Sequence, residues 1–512
     1  MAELSERLRS SEDWPRQRTE SAGWFAAGAP ITVNGSPFGL NPLHARINDG
    51  EVRIARRACD LVGKSAPINV DRLSALLSFT SPPSPTDSLF ESVFRVAPDA
   101  TSTVHRDGSV DVAPKLRALD ERSMPLLEAA DGLWSRLVSS VAAAVTGAKR
   151  VAVLTGGGVD SSALLAAAIA VCRGATGSEV AAIALHFSGA GDDRPYLRDL
   201  ERSLGIVAVK VSPSEGASSV MPLLTCPTMP MWSWSSATDL ALLRAAHERG
   251  ADVALVGFGG DDLLDGSPRS LADDLTRRPL DAIIRAARLS PSETSRADRI
   301  VDFVVRPMVG RAIPSCVRTG RRRRALLGQL AWAGPTLRRH IVAESTRWTL
   351  PRLDSPSARF DALAKATYLA DGLELCEEVA GHVGIRLAYP YLDPSLVEHL
   401  STLPPTMLLH ANRFRGLFRL AIRGRVPDVV RLRPTKANFL NAWRETLQSA
   451  GGKKVLSDLA SVDECSRLGL VDRDAFLAEF EHLERDDATW TQLWPVLGVE
   501  GFLRARASLR AA

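Results

Sequence analysis

The feature that most constrains the fold is an apolar strand that runs directly into a glycine-rich turn and a helix start at residues 151–162, VAVLTGGGVDSS. The backbone N–H groups of such a turn, together with the helix N-terminus, bind phosphate groups. The turn has no Walker A lysine, and Asp160 stands where the dinucleotide fingerprint needs its third glycine. Because Mg²⁺ takes oxygen ligands and shares them with phosphates, Asp160 is a candidate magnesium ligand. The segment therefore predicts a phosphate site that differs from both of these motifs.

Strands and helices alternate from this point. The pattern predicts strands at 151–155, 179–187, 206–211 and 253–256, and helices at 161–173, 195–204 and 236–249. Repeated strand–helix units indicate an α/β fold with a doubly wound parallel sheet, whose ligands bind beyond the carboxyl ends of the strands. The remainder, 270–512, is predicted to be mostly helical, apart from a loop at 387–393.

The first part of the chain has a different pattern. Short β-like pieces alternate with turns, and residues 81–85, SPPSP, indicate a loop or an extended linker. Residues 103–110 predict a hairpin with Asp-Gly at its tip. A helix is predicted from 123 to 146. We therefore divide the chain into a β-rich N-terminal domain, 1–125, and a larger domain, 126–512.

Composition excludes little. The chain has 512 residues with 45% apolar residues and a net charge of +4, so two or three domains are expected and no nucleic-acid partner is required. The run Arg321–Arg324 is either a solvated surface or an anchor for an acidic peptide. With neither a signal region nor an apolar run of membrane-spanning length, the expected location is cytoplasmic. The six cysteines include no C-x-x-C pair and predict neither a zinc site nor a disulfide framework.

A second glycine-rich turn follows the strand that is predicted at 253–256. Its sequence at 257–262, GFGGDD, places paired carboxylates directly after the glycines. Because both turns follow strands of the same sheet, Asp160 and Asp261 are expected to face one another and to share Mg²⁺ bound to phosphate groups. Metal and loop together would stabilise negative charge on a departing phosphate group.

Four motifs, in order, resemble the asparagine synthetase family: 154–162, 257–262, the segment PYLD at 390–393 and the segment RPTK at 433–436. The resemblance covers about 130–445 and implies an enzyme that cleaves ATP to AMP and pyrophosphate and activates a carboxylate as an adenylate. The usual serine of the family's first motif is Gly156 here, with Thr155 one place earlier as the candidate hydroxyl. The nucleotide-binding residues carried over or predicted are Thr155, Gly156, Gly157, Gly158, Asp160, Ser161, Ser162, Leu185, Gly257 and Gly259.

The resemblance also assigns catalytic roles. Lys436 resembles the family lysine that stabilises negative charge on the adenylate and on the reacting carbonyl. Glu374 or Asp262 is the candidate base that deprotonates the attacking amine. Arg419 either pairs with a carboxylate or closes a helix.

The N-terminal domain resembles the last part of the family's glutaminase domain at residues 69–79 and 88–98. That domain needs a cysteine directly after the initiator methionine, but Ala2 stands there and the first cysteine is Cys59. About 125 residues are also too few for the full domain. The resemblance therefore implies a truncated remnant without glutaminase activity, and an amine that comes from the substrate itself.

Family members without glutaminase activity typically close rings. Lasso-peptide macrocyclases join an Asp or Glu side chain of a precursor peptide to its N-terminal amine, whereas β-lactam synthetases close a small β-amino acid. The β-lactam enzymes carry a catalytic tyrosine between the glycines of the second motif, where this chain has Phe258. We therefore expect a lasso-type cyclase, with a precursor peptide as substrate and a leader peptidase or recognition protein as partner. A β-lactam-type or other small-molecule amide synthetase, and a non-catalytic nucleotide- or peptide-binding homologue, remain alternatives.

Overall fold

The computed structural model describes residues 23–26, 30–48, 51–105, 107, 109–115, 122, 124–189, 191–266, 270–274, 279–290, 295–348, 360, 363, 367–434, 438–483 and 487–511. The strands of these residues form three sheets. In chain order they are β1 Gly23–Ala26, β2 Ile31–Asn34, β3 His44–Asn48, β4 Glu51–Ala55, β5 Phe94–Arg95, β6 Ala100–Val104, β7 Val110–Pro114, β8 Arg150–Thr155, β9 Glu179–Leu185, β10 Val209–Val211, β11 Val253–Leu255 and β12 Arg386–Ala388.

The α-helices of the described residues lie mostly after β8. They are α1 Val70–Ser78, α2 Leu126–Val145, α3 Val159–Val171, α4 Arg194–Leu204, α5 Val220–Leu224, α6 Ser236–Glu248, α7 Gly260–Leu264, α8 Ser270–Asp274, α9 Pro279–Arg288, α10 Arg296–Ile300, α11 Arg306–Ala312, α12 Ser315–Gln329, α13 Pro335–Ser345, α14 Thr367–Gly381, α15 Pro394–Thr402, α16 Pro405–Leu408, α17 Gly416–Ala421, α18 Asp428–Arg431, α19 Leu440–Ser449, α20 Asp463–Arg467, α21 Arg473–Phe480 and α22 Asp487–Ala511.

Shorter helical turns connect these elements. The 3₁₀ turns are Pro37–Gly39, Ala58–Leu61, Pro213–Ser219, Pro390–Leu392, His410–Asn412, Gly452–Leu456 and Leu459–Ser461, and π-helical turns occupy Cys172–Thr176 and Val301–Val305.

The central sheet is parallel, with its strands in the order β10-β9-β8-β11-β12. Consecutive strands run outward from β8 to β10 and then restart at β11 on the other side of β8, which makes the gap between β8 and β11 the topological switch point. Val151, Ala152 and Val153 of β8 and the whole of β11 are fully buried, as expected of strands covered by helices on both faces. The doubly wound α/β prediction is confirmed.

Most predicted elements lie within two residues of the observed ones, and two differences stand out. The strand predicted to begin at residue 206 begins at 209. The segment predicted as a loop at 387–393 contains most of β12, which pairs with β11, and the 3₁₀ turn Pro390–Leu392. Its pairing with β11 identifies this segment as a strand.

The N-terminal region holds two antiparallel sheets, in the orders β1-β4-β3-β5 and β2-β6-β7. The predicted hairpin is confirmed, with Val104 opposite Val110. Phe38, Leu73 and Phe90 are buried in the same hydrophobic cluster as Leu133 of α2 and Phe502 of α22. The region therefore packs directly onto the larger domain.

Within the described residues, no helix combines the length and the apolar character needed to cross a bilayer.

Candidate active site

The first glycine-rich turn leaves the carboxyl end of β8 and enters α3. Gly158 is the N-cap of α3 and adopts an extended backbone conformation. Ser161 Oγ donates a hydrogen bond to the Gly158 carbonyl at 3.4 Å, and Ser162 Oγ donates to the Gly156 carbonyl at 3.4 Å. Ser161 is half-buried, whereas Ser162 is fully buried behind the turn. The two hydroxyls therefore differ in role, because only Ser161 faces open space.

The second glycine-rich turn leaves β11, the neighbour of β8. Gly259 has a φ of +84°, and a Cβ atom there would lie 2.4 Å from Leu392 Cδ2. A side chain is therefore excluded on both counts. Tyr391 Oη donates a hydrogen bond to the Asp160 carbonyl at 2.8 Å. The third motif thus packs against both turns and holds them side by side.

Carboxylates from the two turns converge on one guanidinium. Arg415 Nη1 lies 2.8 Å from Asp160 Oδ2, Arg415 also contacts Asp261, and its Nε lies 3.1 Å from Asp265 Oδ1. Asp160 and Arg415 are largely buried, whereas the Asp261 side chain is 51% exposed and that of Asp265 35% exposed. We call these four residues the cavity cluster. The two carboxylates predicted to share a metal do meet, and an arginine joins them.

A cavity of about 930 Å³ opens beside the cavity cluster at the carboxyl edge of the sheet. Nucleotide-site candidates that line it are Thr155, Gly156, Gly158, Asp160, Ser161, Leu185 and Gly257, together with Asp261. Three candidates, Gly157, Ser162 and Gly259, are not in its wall. These three residues belong to the two turns and to the start of α3 without facing the cavity. The far wall is apolar and includes Leu242, Phe439 and Trp443.

A buried ion pair that sequence reasoning missed braces the first turn. Asp193 accepts hydrogen bonds from Gly157 N at 3.0 Å and from Arg433 Nη1 at 2.6 Å, and both side chains are about 96–97% buried. Arg433 also donates to the Gly157 carbonyl at 3.0 Å and stacks on the Tyr196 ring at 4.1 Å. Only the positions of the two residues in the sequence could have indicated this pair. Asp193 follows the carboxyl end of β9, and Arg433 is the first residue of the fourth motif.

This pair explains the departure at Gly156. A Cβ atom at Gly156 would lie 2.8 Å from Asp193 Oδ2, closer than van der Waals contact allows. A serine at position 156 would displace Asp193, so the glycine and the buried aspartate belong together. Thr155 Oγ1 is buried in the cavity wall and has no hydrogen-bond partner among the described residues. The nearby hydroxyl that the sequence nominated is thus in place to meet a ligand.

Two further ionisable groups line the cavity. Burial raises the pKa of Asp239 to about 6, although a hydrogen bond from Ser235 opposes the shift. Burial also lowers the pKa of Arg419 to about 10, and Arg415 and Arg413 add to this effect. Arg419 Nε donates to the Phe414 carbonyl at 3.0 Å. Of the two roles predicted for Arg419, this contact with a backbone carbonyl favours the structural one, at the helix α17, over pairing with a carboxylate.

Neither candidate base, Glu374 or Asp262, is in the wall of the cavity, so the choice between them stays a prediction. Glu374 belongs to a separate set of ion pairs. It accepts a hydrogen bond from Arg95 Nη1 at 3.0 Å and lies 3.6 Å from His44 Nε2. Arg95 and Arg72 also bind Asp371, at 2.8 and 3.2 Å. We call Arg72, Arg95, Asp371 and Glu374 the seam cluster, because it joins the N-terminal sheets to α14. The spacing from the second motif could not reveal this pairing.

Of the other two catalytic candidates, Asp262 is among the described residues and Lys436 is not. Asp262 accepts a hydrogen bond from Tyr368 Oη, so the second turn carries a phenol–carboxylate pair. Lys436 lies outside the described residues, which include Pro434 and Asn438 on either side of it. Both flanking residues line the cavity.

The comparison with known protein families identifies the chain. The sequence profile of the family described as asparagine synthase matches residues 132–508. The chain belongs to the asparagine synthase family. Membership makes it an ATP-dependent amide-forming ligase by family. A search of curated proteins found no match to the chain.

The residues fit the ATP of this family. The first turn, the start of α3 and the orphaned Thr155 hydroxyl surround one end of the cavity, as a triphosphate requires. The apolar wall at the other end suits a nucleobase. Asp160 and Asp261 form an oxygen donor set of the type that Mg²⁺ prefers, although Arg415 contacts both.

Proposed function

We propose that this protein uses ATP to adenylate a carboxylate of a precursor peptide and then closes a macrolactam with the peptide's own amine, releasing AMP and pyrophosphate. The observation that carries the ligase part is the meeting of Asp160 and Asp261 at the switch point of the sheet, beside a cavity lined by the first turn. Holding both reacting ends of one chain gives the entropic advantage of an intramolecular reaction.

In this proposal the substrate carboxylate attacks the α-phosphate of ATP while the first turn binds the leaving pyrophosphate. Ser161 and Thr155 donate to phosphate oxygens, and Lys436 neutralises charge on the adenylate. Mg²⁺ held by Asp160 and Asp261 would supply further charge neutralisation when bound. The ion pair of Asp193 with Arg433 keeps the turn in shape, because it fixes both the N–H and the carbonyl of Gly157.

A second pocket supports a peptidic substrate. It has a volume of about 180 Å³, and its lining includes aromatic residues, the carboxylates of Glu344 and Asp371, and Arg322 of the arginine run. The Arg322 guanidinium lies 4.5 Å above the Trp348 ring. Tyr368 lies in its wall and reaches Asp262 of the second turn. A pocket of this size accepts one side chain, and an exposed arginine-rich α12 beside it suits an acidic peptide.

Deprotonation of the amine falls to Asp262 in this scheme. Phe258 replaces the tyrosine of the β-lactam enzymes, and its ring packs against Tyr389 at 6.1 Å. Glu374 is held in the seam cluster. Asp262 is the remaining nominated carboxylate, and the Tyr368 hydroxyl orients it.

One observation favours a second candidate, a homologue that binds nucleotide or peptide without catalysis. Arg415 contacts all three carboxylates of the cavity cluster, so a metal must compete with a guanidinium already in place. Catalysis requires Arg415 to yield part of these contacts when Mg·ATP enters.

The experiment is product analysis with the purified chain, ATP, Mg²⁺ and synthetic peptides that carry a free N-terminal amine and an internal Asp or Glu. Loss of one water from the peptide, with one AMP and one pyrophosphate formed per ring, is the expected result. The matched peptide with Asn or Gln at the acidic position is the control and should not react.

Other outcomes redirect the assignment. AMP formation only with a small amino acid would move the function to β-lactam-type or other small-molecule amide synthesis. Nucleotide binding without AMP, with any substrate and with a leader peptidase added, would favour the non-catalytic candidate.

A further inference from the structure

A second cluster of metal-ligating side chains lies outside the cavity. Cys226, in the connection between α5 and α6, meets Glu378 and His382 near the end of α14, and one ligand atom from each lies within 4.8 Å of the other two. Glu378 lies in the last turn of α14, and His382 follows directly after the helix ends at Gly381. The sequence could not predict this site, because the cysteine is 152 residues from the glutamate (378 − 226).

The distances are close to those of a tetrahedral zinc site. Cys226 Sγ lies 3.9 Å from His382 Nε2, and His382 Nε2 lies 4.0 Å from Glu378 Oε1. Zinc bond lengths of about 2.3 Å to sulfur and about 2.0 Å to nitrogen or oxygen imply separations of about 3.5 and 3.3 Å. These two separations exceed the ideal values by only about 0.4 and 0.7 Å.

A fourth side chain holds two of the ligands in place. Thr228 Oγ1 donates a hydrogen bond to Glu378 Oε1 at 2.8 Å and lies 2.8 Å from Cys226 Sγ. Since the hydroxyl proton goes to the carboxylate, the thiol proton points to the threonine oxygen. Outer partners of this kind orient metal ligands. Arg57 Nη1 lies 3.7 Å from Glu378 Oε1 and partly neutralises the negative charge of this carboxylate.

Burial and access also suit a metal. Cys226 and Glu378 are buried, whereas the His382 side chain is 36% exposed and opens the cluster to solvent. We propose that Cys226, Glu378 and His382 bind one Zn²⁺, with water in the fourth position. Binding replaces the thiol proton by a zinc–sulfur bond, so one H⁺ leaves to solvent for each metal that binds.

The site would act as a clamp. It joins α14 to the connection before α6, next to Arg57 of the N-terminal region. Because α14 also carries Asp371 and Glu374 of the seam cluster, a metal here fixes the helix against the rest of the molecule. The proposal depends on neither ATP nor the ligase reaction.

The test uses the full-length chain after dialysis against a chelator, titrated with Co²⁺ and then with Zn²⁺. Co²⁺ bound through a thiolate gives a charge-transfer band in the near ultraviolet, and Zn²⁺ should bleach it at one equivalent. Cys226→Ser should remove the band, and His382→Gln should remove it or weaken it strongly. Thr228→Ala should lower the affinity by about 10–100-fold.

Cys316→Ser is the matched control, because Cys316 is an exposed free cysteine on α12 and should leave the titration unchanged. If Cys226→Ser does not fold, as judged by circular dichroism, the half-exposed His382→Gln decides alone. The absence of a thiolate band in the folded wild-type protein would overturn the proposal. So would a band that persists in both folded ligand variants.

Discussion

Two clusters in this molecule combine arginine with carboxylates, and they differ in how far their side chains are exposed. In the seam cluster, the side chains of Arg72, Arg95 and Asp371 are no more than 9% exposed. In the cavity cluster, Asp261 and Asp265 remain 51% and 35% exposed and share one guanidinium. Buried, mutually paired charges act as a clamp, because removing one leaves another uncompensated. Half-exposed carboxylates can exchange their partner, which is what a metal or phosphate site requires.

The electrostatics of Asp371 illustrate the clamp. Burial alone would raise the pKa of its carboxyl, but Arg72 and Arg95 outweigh burial and hold the pKa below its usual value. His44 beside it has a lowered pKa because of burial, despite the neighbouring Glu374. The two arginines therefore favour the ionised form of Asp371, and Glu374 in the same cluster pairs with Arg95.

The largest expected effect is on Asp160 in the cavity cluster. Asp160→Ala should lower AMP-forming turnover on the order of 10³-fold. The reason is that the variant lacks a carboxylate that would hold Mg²⁺ beside the phosphates of ATP. The measurement is pyrophosphate release with ATP and a substrate peptide, alongside a urea midpoint to verify folding. Asp199→Ala, which breaks an exposed pair with Arg202, is the control and should retain turnover. Equal activity of the two variants would end the distinction between the clusters.

In the seam cluster the effect should fall on stability. Asp371→Asn leaves Arg72 and Arg95 buried without their carboxylate and should lower the free energy of unfolding by about 3–5 kcal/mol. Urea denaturation followed by fluorescence measures the loss. Glu179→Gln, in an exposed pair with Arg150, should cost less than about 1 kcal/mol. A similar midpoint for both variants would show that the seam is not a clamp.

A variant of Arg433 tests whether the buried ion pair with Asp193 supports ATP binding in the cavity. Arg433→Gln removes the charge that neutralises Asp193 and the donor to the Gly157 carbonyl. Losing a charged hydrogen bond of about 1.5–3 kcal/mol predicts a kcat/KM for ATP roughly 10–100-fold lower. A double-mutant cycle with Asp193→Asn should show strong coupling. Additive effects of the two changes would contradict the bracing role.

Asp239 is buried in the cavity wall, where its carboxyl accepts a hydrogen bond from the Ser235 hydroxyl. Its folded-state pKa of about 6 lies above the usual 3.8, so the folded protein binds the extra proton between these values. Stability therefore falls as pH rises from about 4 to about 6, and the cost is complete above that range. Asp239→Asn should be more stable than wild type by roughly 2–3 kcal/mol near neutral pH. Melting temperatures across this pH range should show the difference vanishing below about pH 4.

The smallest expected effect concerns Glu374, the candidate base that pairs with Arg95 in the seam cluster. Glu374→Gln should change kcat less than about threefold and should leave its pH profile in place, because the side chain faces Arg95 rather than the cavity. Asp262→Asn should instead lower kcat by about 10²–10⁴-fold, the usual contribution of a general base. A flattened pH profile in Glu374→Gln alone would restore Glu374 as the base.

Periodicity predicted the sheet well because the strands of a parallel sheet are continuous apolar runs and the helices around them repeat every 3.6 residues. It missed β12, which lies directly before the third motif and which only its pairing with β11 identifies as a strand. It also found the two glycine turns, since both stand at strand ends. It could not find the partnership of Gly156 with Asp193, because a close approach across 37 positions (193 − 156) leaves no local pattern.

The sequence by itself determined the family, the fold class and the two turns whose carboxylates meet, because motif spacing along adjacent parallel strands dictates which loops share an edge. Only the tertiary structure decided the partners of each charge. It placed Glu374 in a buried seam, joined Arg415 to Asp160 and Asp261, and brought Cys226 to His382. The physical reason is that ion pairs and metal ligands act over a few ångströms in space, and the packing of distant helices sets those distances.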